Sequence, residues 1–144
     1  FLMEPGRSIV ADAGMTLYTV GSIKRIPGYK QYAAVDGGMT DNPRYALYQS
    51  RYTVYHGSKT GPTERFDVVG RCCESGDIIQ PHVELPADTC RGDILAVCTT
   101  GAYNYSMASN YNRLPRPPIV MLTPEGSYTA VRRETFADLT ALDE

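Results

Sequence analysis

The sequence predicts a mainly β fold, a Greek-key-like β-barrel or sandwich that carries a few short helices. Short apolar or alternating segments recur along the chain, and glycine or proline turns separate them at intervals of about ten residues. Helix signals are few by comparison. The length of 144 residues suits one domain with a buried core, and no repeat, low-complexity tract or linker divides the chain.

The first half of the chain contains four segments with the composition of strands. Residues 8–26 are rich in apolar and β-branched side chains, with glycines at two expected bends. Residues 32–38 end in a glycine turn, and residues 48–57 alternate and carry Tyr, Thr and Val. Residues 64–73 are expected to form a further core strand. We therefore expect one strand in each segment.

The second half of the chain contains four more strand segments. Residues 77–85 have strand composition, although Pro81 is expected to interrupt them. Residues 93–101 form a short continuous apolar run, which is typical of a buried strand. Residues 117–126 and 127–134 flank a Pro-Glu-Gly turn, and this pattern predicts a hairpin.

Three segments show helix signals, and each of them is short. In residues 41–48, Asn42 is a candidate N-cap and Pro43 suits the first helical position, so one or two turns are expected. Residues 101–112 can hold a short helix. Residues 132–144 end the chain with apolar side chains at helical spacing.

Charge and composition argue against two classes of partner. The formal net charge of -2 gives no reason to expect nucleic acid or an anionic membrane. No apolar run approaches the length of a membrane span, and no secretory signal pattern opens the chain. The chain begins at Phe1 without a methionine, so it is expected to be a piece of a longer protein.

The cysteines predict free thiols rather than disulfides or a metal site. They stand at positions 72, 73, 90 and 98, without the Cys-x-x-Cys spacing of zinc sites. The adjacent Cys72 and Cys73 could pair only through a strained ring. We therefore expect no metal and a reducing, cytoplasmic setting.

Four polar segments that contain glycine lie where strands are expected to end, at residues 4–7, 36–48, 73–77 and 101–112. Taken singly, each is more often a turn than a site. Together they supply groups that can bind anions, bind an ammonium group and transfer a proton. These groups are Glu4, Arg7, Arg44, Tyr48, Cys73, Glu74 and Tyr103.

The ordered set EPGR, VDGGM, RYALY, CESGD and GAYNYSMASNYN resembles the C-terminal part of the diaminopimelate decarboxylases. The resemblance covers nearly the whole chain. It implies the alanine racemase-like architecture of two domains, a (β/α)8 barrel followed by a β-domain. Residues 1–7 would end the last barrel strand and residues 8–144 would form the β-domain. The barrel with the Schiff-base lysine would lie upstream, so this chain alone is expected to be inactive.

The resemblance also implies pyridoxal 5'-phosphate as the cofactor of the full enzyme. In the EPGR motif, Glu4 would face the pyridine nitrogen. Pro5 and Gly6 would bring the backbone close to the phosphate, and Arg7 would add positive charge near phosphate and substrate. Tyr103 matches a tyrosine that contacts both cofactor and substrate.

The implied substrate is meso-2,6-diaminopimelate, which carries an amino-acid group at each end. The resemblance assigns the far carboxylate to Arg44 and Tyr48, and a spacing of four residues places these two on one helix face. Glu74 matches the acceptor for the far ammonium group. Arg7 and Tyr103 complete the predicted substrate site. An Asp replaces this Glu in the ornithine-type decarboxylases, so the sequence favours a diacid substrate.

Cys73 matches the cysteine that returns a proton to the α-carbon after CO2 leaves, a task for which a thiol is a competent general acid. In the family this cysteine and the following Glu reach into the active site of the neighbouring protomer. The resemblance therefore implies a homodimer with shared sites. Cys72 has no such match and is expected to pack in a strand.

Two alternatives remain open at the sequence level. One is a related decarboxylase of the ornithine or arginine type, in which a Glu74→Asp, Arg44→Ala double change should matter little. The other is a non-catalytic β-domain that mediates dimerisation.

Overall fold

The computed structural model describes all 144 residues and is dominated by eight strands. The strands are β1 (Met15–Arg25), β2 (Gln31–Val35), β3 (Val54–His56), β4 (Thr63–Val69), β5 (Ile78–Pro86), β6 (Ile94–Cys98), β7 (Ile119–Thr123) and β8 (Gly126–Val131). The α-helices are α1 (Arg7–Val10), α2 (Arg44–Tyr48) and α3 (Phe136–Leu139), and single 3-10 turns span Ala11–Ala13, Tyr105–Met107 and Tyr111–Arg113. The predicted fold class, mainly β with a few short helices, is confirmed.

Six strands form one mixed sheet in the order β3-β6-β1-β2-β4-β5. Neighbouring strands are antiparallel except β2 and β4, which run parallel. The two edge strands, β3 and β5, also contact each other. Beside this contact the Tyr52 N–H donates to the side-chain oxygen of Gln80 at 2.7 Å. The sheet is therefore a nearly closed barrel. Between its two edge strands, the Gln80 side chain supplies a hydrogen bond that backbone pairing of the strands would otherwise make.

The core fills the interior of this barrel with side chains from all six strands. Phe66, Ile79, Leu85 and Leu95 have no exposed surface. Alternate residues of β6 are buried, as the two-residue period of a strand requires. The prediction of a continuously buried run at residues 93–101 is therefore wrong in this detail. Burial of each large apolar side chain stabilises the fold by roughly 1.5–3 kcal/mol.

Two predicted strands are shorter than expected, because part of each segment forms a helical turn with local backbone hydrogen bonds. Residues 8–13 belong to α1 and a 3-10 turn, where the Ile9 N–H donates to the Gly6 carbonyl at 3.1 Å. Tyr48 is the last residue of α2 and residues 49–53 lie between α2 and β3, and Gln49 caps the end of α2 with a φ of 55°. Composition could not reveal either helical turn, since a single turn has too few residues to show a period.

The predicted strand 64–73 ends at Val69 instead. Residues 70–73 form bends, so the expectation that Cys72 packs in a strand is wrong. Conversely, Pro81 does not interrupt β5. The register with β4 shifts between Phe66 and Val68, and this irregularity leaves Pro81 outside the paired positions of the ladder.

The ends of the helices also differ from prediction in detail. Pro43, rather than Asn42, occupies the N-cap of α2, and Asn42 is buried with no hydrogen-bond partner for its side-chain amide. The C-terminal helix α3 has four residues only, and a capping box between Thr135 and Asp138 opens it.

The predicted hairpin near the C-terminus is confirmed as the two-stranded sheet β7–β8, which is separate from the barrel sheet. Its apolar side chains are largely exposed, with Val120 at 54% and Leu122 at 79%. No helix has the length and apolar character needed to cross a membrane.

Candidate active site

Strand directions place all four motif segments at one end of the barrel. The strands β2, β4 and β6 run in one direction, and β1 runs in the opposite direction. The loops after β2, β4 and β6 and the segment before β1 therefore share an end. Backbone hydrogen bonds join the loops, from the Arg71 N–H to the Gly37 carbonyl at 3.1 Å and from the Ser109 N–H to the Thr40 carbonyl at 2.8 Å.

The N-terminal EPGR segment packs against the loop that follows β6. A Cβ atom added at Gly6 would lie 2.0 Å from the Tyr103 hydroxyl oxygen, so only glycine permits this approach. The Arg7 guanidinium donates to the carbonyls of Ala102 at 3.1 Å and Thr99 at 3.2 Å. Gly6, Arg7 and Tyr103 are therefore brought together. Glu4 and Pro5 are exposed.

Arg44 lies between two tyrosine rings and has no anionic partner. Its guanidinium carbon is 5.1 Å from the ring centre of Tyr48 and 6.0 Å from that of Tyr103. The Nη1 atom is 3.8 Å from the sulfur of Met107. The Nε atom is buried without any hydrogen-bond acceptor. A cation in this state is suited to bind an anion from outside the chain, since an unsatisfied buried donor is costly.

The loop after β4 presents Cys73 and Glu74 to solvent. The Glu74 carboxylate accepts hydrogen bonds from the Ser75 N–H at 3.0 Å and from the Tyr111 hydroxyl at 3.5 Å. No hydrogen bond or ion pair joins these two side chains to Arg44, and none joins them to the EPGR segment. Within one chain the structure therefore forms one group around Arg44 and Tyr103 and a separate pair at residues 73–74.

The two adjacent cysteines differ in their surroundings. Burial, followed by the nearby Asp77 carboxylate, raises the pKa of the Cys72 thiol. Cys73 is exposed at the tip of the loop. The second thiol is therefore the more accessible of the two to a substrate from outside.

Two buried carboxylates of these loops were missed by the sequence analysis. Asp77, the last residue of CESGD, is 4% exposed and accepts backbone hydrogen bonds from two loops. Asp41, which is partly buried, accepts the hydroxyl hydrogen of Tyr18, and burial raises the pKa of Asp41 and that of Tyr18. An aspartate among glycines is usually interpreted as a solvated turn residue. Only the spacing between the aspartate and the glycines could have indicated that its carboxylate is buried.

The three lysines lie away from this end of the barrel. Lys24 is near the end of β1, and Lys30 and Lys59 precede β2 and β4, so all three are at the opposite end. Lys30 is paired with Asp67 at 2.6 Å and Lys59 with Asp93 at 2.7 Å. This chain therefore has no lysine at the candidate site.

A protein family matches this site and this fold. The family described as "Pyridoxal-dependent decarboxylase, C-terminal sheet domain" matches residues 8–101. The chain belongs to the pyridoxal-dependent decarboxylases, as their C-terminal sheet domain. The family resemblance and fold expected from the sequence motifs are thereby confirmed.

Two curated relatives are named diaminopimelate decarboxylase. A diaminopimelate decarboxylase of Bacillus subtilis is 51% identical over 143 residues, which is 98% of this chain and 32% of the relative. That of Staphylococcus aureus is 43% identical, with 98% of this chain and 34% of the relative covered. This chain thus spans about a third of the length of the curated relatives that it matches.

Solved structures agree with these relatives. A diaminopimelate decarboxylase from M. jannaschii in co-complex with L-lysine matches with a TM-score of 0.93 and 38% identity, covering 98% of this chain and 32% of that one. A lysine/ornithine decarboxylase from Vibrio vulnificus complexed with cadaverine matches less well. Its TM-score is 0.70 and its identity 26%, over 78% of this chain and 31% of that one.

Proposed function

We propose that this chain is the C-terminal part of a diaminopimelate decarboxylase, which converts meso-2,6-diaminopimelate to L-lysine and CO2. The observation that carries the proposal is the Arg44 guanidinium, which is stacked between tyrosines and has a buried Nε without an acceptor. A diacid has a second carboxylate to fill this place, whereas a diamine precursor such as ornithine has none. The higher identity and coverage of the diaminopimelate decarboxylases support the same choice.

The residues around Gly6 fit pyridoxal phosphate as the cofactor of the full enzyme. The Gly6 backbone lies close to the Tyr103 hydroxyl, and the Arg7 guanidinium adds positive charge next to them. We assign Gly6, Arg7 and Tyr103 to the phosphate side and Glu4 to the ring nitrogen. The bound cofactor takes up the electron pair that remains when CO2 leaves.

The side chains of this chain bind and orient the substrate. Arg44 donates charge-assisted hydrogen bonds to the far carboxylate, and the Tyr48 hydroxyl adds a donor on the same helix face. The Glu74 carboxylate accepts from the far ammonium group. The Cys73 thiol then gives its proton to the α-carbon and regains a proton from solvent.

We further propose that the enzyme is a homodimer in the cytoplasm. Cys73 and Glu74 are exposed and make no hydrogen bond or ion pair with Arg44 in their own chain, which supports a role in the site of a second protomer. All four cysteines are unpaired, as is usual for proteins of a reducing compartment.

The substrate assignment is tested by Arg44→Ala in the full-length enzyme. The variant loses the charge-assisted contact between Arg44 and the far carboxylate of the substrate. This loss should lower kcat/KM for meso-diaminopimelate at least about thirtyfold. The matched control is Arg25→Ala, which removes an arginine at the opposite end of the barrel and should leave kcat/KM unchanged. Full diaminopimelate turnover by Arg44→Ala, or preferred turnover of L-ornithine by the parent enzyme, would contradict the proposal.

A further inference from the structure

Asp77 connects two loops of the candidate site through its buried carboxylate. One oxygen accepts the N–H of Met39 at 2.6 Å, in the loop that leads to Arg44. The other accepts the N–H of Cys72 at 2.6 Å, directly before Cys73. No lysine, arginine or histidine of this chain pairs with this carboxylate, and the two backbone N–H groups compensate part of the cost of its burial.

Two glycines make room for this carboxylate. A Cβ added at Gly70 would lie 2.2 Å from one oxygen of Asp77, and a Cβ added at Gly38 would lie 2.7 Å from it. Neither glycine has a positive φ, so neither is required by its backbone conformation. Because these two residues have no side chain, the Asp77 carboxylate can lie close to both loops.

We propose that Asp77 is a positioning residue, which fixes the Cys73–Glu74 pair relative to the loop that carries Arg44. This inference rests on the proposed function, since it concerns the placement of the same site residues. The carboxylate acts through the backbone of the neighbouring residue and touches neither substrate nor cofactor. If residues 73–74 serve the site of a second protomer, Asp77 also sets the distance between the two sites of a dimer.

Two variants of the full-length enzyme remove this connection in different ways. Asp77→Asn keeps the shape but turns one oxygen into an NH2 group, which cannot accept from an N–H. Gly70→Ala keeps the carboxylate and displaces it by the clash described above. Gly76→Ala is the matched control, because an added Cβ at this position of the same loop meets nothing within 4 Å. Asp67→Asn is a second control, since Asp67 is also buried and accepts the His82 N–H at 2.9 Å outside the site.

The first measurement is amide hydrogen exchange of the folded enzymes, with or without cofactor. Asp77→Asn and Gly70→Ala should speed exchange in residues 36–41 and 70–77 at least about tenfold, because the Met39 and Cys72 N–H groups lose their acceptor. Gly76→Ala should leave both segments unchanged, and Asp67→Asn should affect only residues around Lys30 and His82. Unchanged exchange in both of the first two variants would overturn the inference.

The second measurement is a double-mutant cycle on kcat/KM. Asp77→Asn alone should lower kcat/KM for meso-diaminopimelate at least about tenfold. Added to Cys73→Ala and Glu74→Gln together, it should lower the residual rate less than about twofold, because the residues through which it acts are already gone. An equal loss in both backgrounds would mean general destabilisation and would overturn the positioning role.

Failure of this inference and failure of the proposed function give different results. If Cys73→Ala retains full turnover, the role proposed for Cys73 is wrong, whatever the exchange data show for Asp77. If Cys73→Ala is impaired while Asp77→Asn has wild-type exchange and turnover, the proposed function stands and the positioning role is wrong.

Discussion

At the scale of single residues, the surroundings of a side chain can distinguish two residues that are identical and adjacent in the sequence. Cys72 and Cys73 are chemically identical neighbours, yet one is partly buried beside Asp77 and the other is exposed. The motif resemblance distinguished them, but only the structure gives a physical reason. The same holds for Arg44, whose unsatisfied Nε could not be inferred from sequence, because it depends on Tyr103 and Met107 from a distant loop.

The two cysteines should respond differently to substitution in the full-length enzyme. Cys73→Ala removes the proposed proton donor and should slow turnover about 10²–10⁴-fold, the usual contribution of a general acid. Cys72→Ala should change turnover less than about twofold, because the variant keeps the backbone N–H of residue 72 that donates to Asp77. Steady-state kinetics with meso-diaminopimelate measures both, and equal effects would defeat the role assignment.

At the scale of secondary-structure elements, side chains hold together parts that the strand ladders leave apart. The Glu134 carboxylate, just after β8, accepts from the Arg116 backbone N–H at 2.8 Å, from its Nε at 2.7 Å and from the Asn110 amide at 2.6 Å. The hairpin is thereby fixed to the loop that carries Tyr111. The hydrogen bond with Arg116 lowers the pKa of Glu134 to about 2.

This contact predicts a pH dependence. Because the folded-state pKa of Glu134 lies below the usual 4.5, its contribution to stability is present above about pH 4.5 and is lost as the pH falls towards 2. Amide exchange in residues 110–116 should therefore be slow at pH 6 and disproportionately faster at pH 3, after correction for intrinsic rates. In Glu134→Gln the corrected exchange should already be fast at pH 6, and a wild-type pH response in this variant would refute the assignment.

The closure of the barrel predicts a second effect at this scale. Gln80→Leu leaves the buried Tyr52 N–H without an acceptor and should lower the free energy of unfolding by about 1–3 kcal/mol. Gln31→Leu is the matched control, since the Gln31 side-chain oxygen has no hydrogen-bond partner and its loss should change stability by less than about 0.5 kcal/mol. Urea unfolding followed by circular dichroism measures the difference, and equal values for both variants would contradict the role of Gln80 in closure.

Sequence patterns predicted the strands better than the segments between them, for a physical reason. Segments such as residues 66–69 and 94–98 form strands because the barrel interior buries several of their apolar side chains. The turn at residues 70–73 and the helical turn at 7–10 depend on contacts with distant segments, such as Asp77 or the Thr99–Ala102 carbonyls. Composition within a window contains no information about such contacts.

At the scale of the whole molecule, the two ends of the barrel differ in the motif segments and the lysines that they carry. The motif segments gather at the end where β2, β4 and β6 finish, whereas the lysines lie at the other end. The motif order pointed to the segments that gather at this end, and the roles of their residues stay predictions. The absence of a hydrogen bond between residues 73–74 and Arg44 depends on loop conformation, which composition does not contain.

The position of the lysines predicts that the 144-residue chain alone has no decarboxylase activity. Incubated with pyridoxal phosphate and meso-diaminopimelate, it should release no CO2 above the protein-free rate. Borohydride reduction followed by peptide mass spectrometry should find no cofactor adduct on Lys24, Lys30 or Lys59 beyond that on a denatured control. A specific, stoichiometric adduct on one of them would contradict the prediction.

The strand order also determines when the barrel can close as the chain leaves the ribosome. Strand β1 pairs with β2 on one side, which requires only residues up to Val35. Its other side pairs with β6, which is complete about seventy residues after β1 ends. At roughly 5–20 residues per second, β1 would present an open edge for several seconds of synthesis. This interval is when the nascent chain is most exposed to pairing with a neighbouring copy on the same polysome.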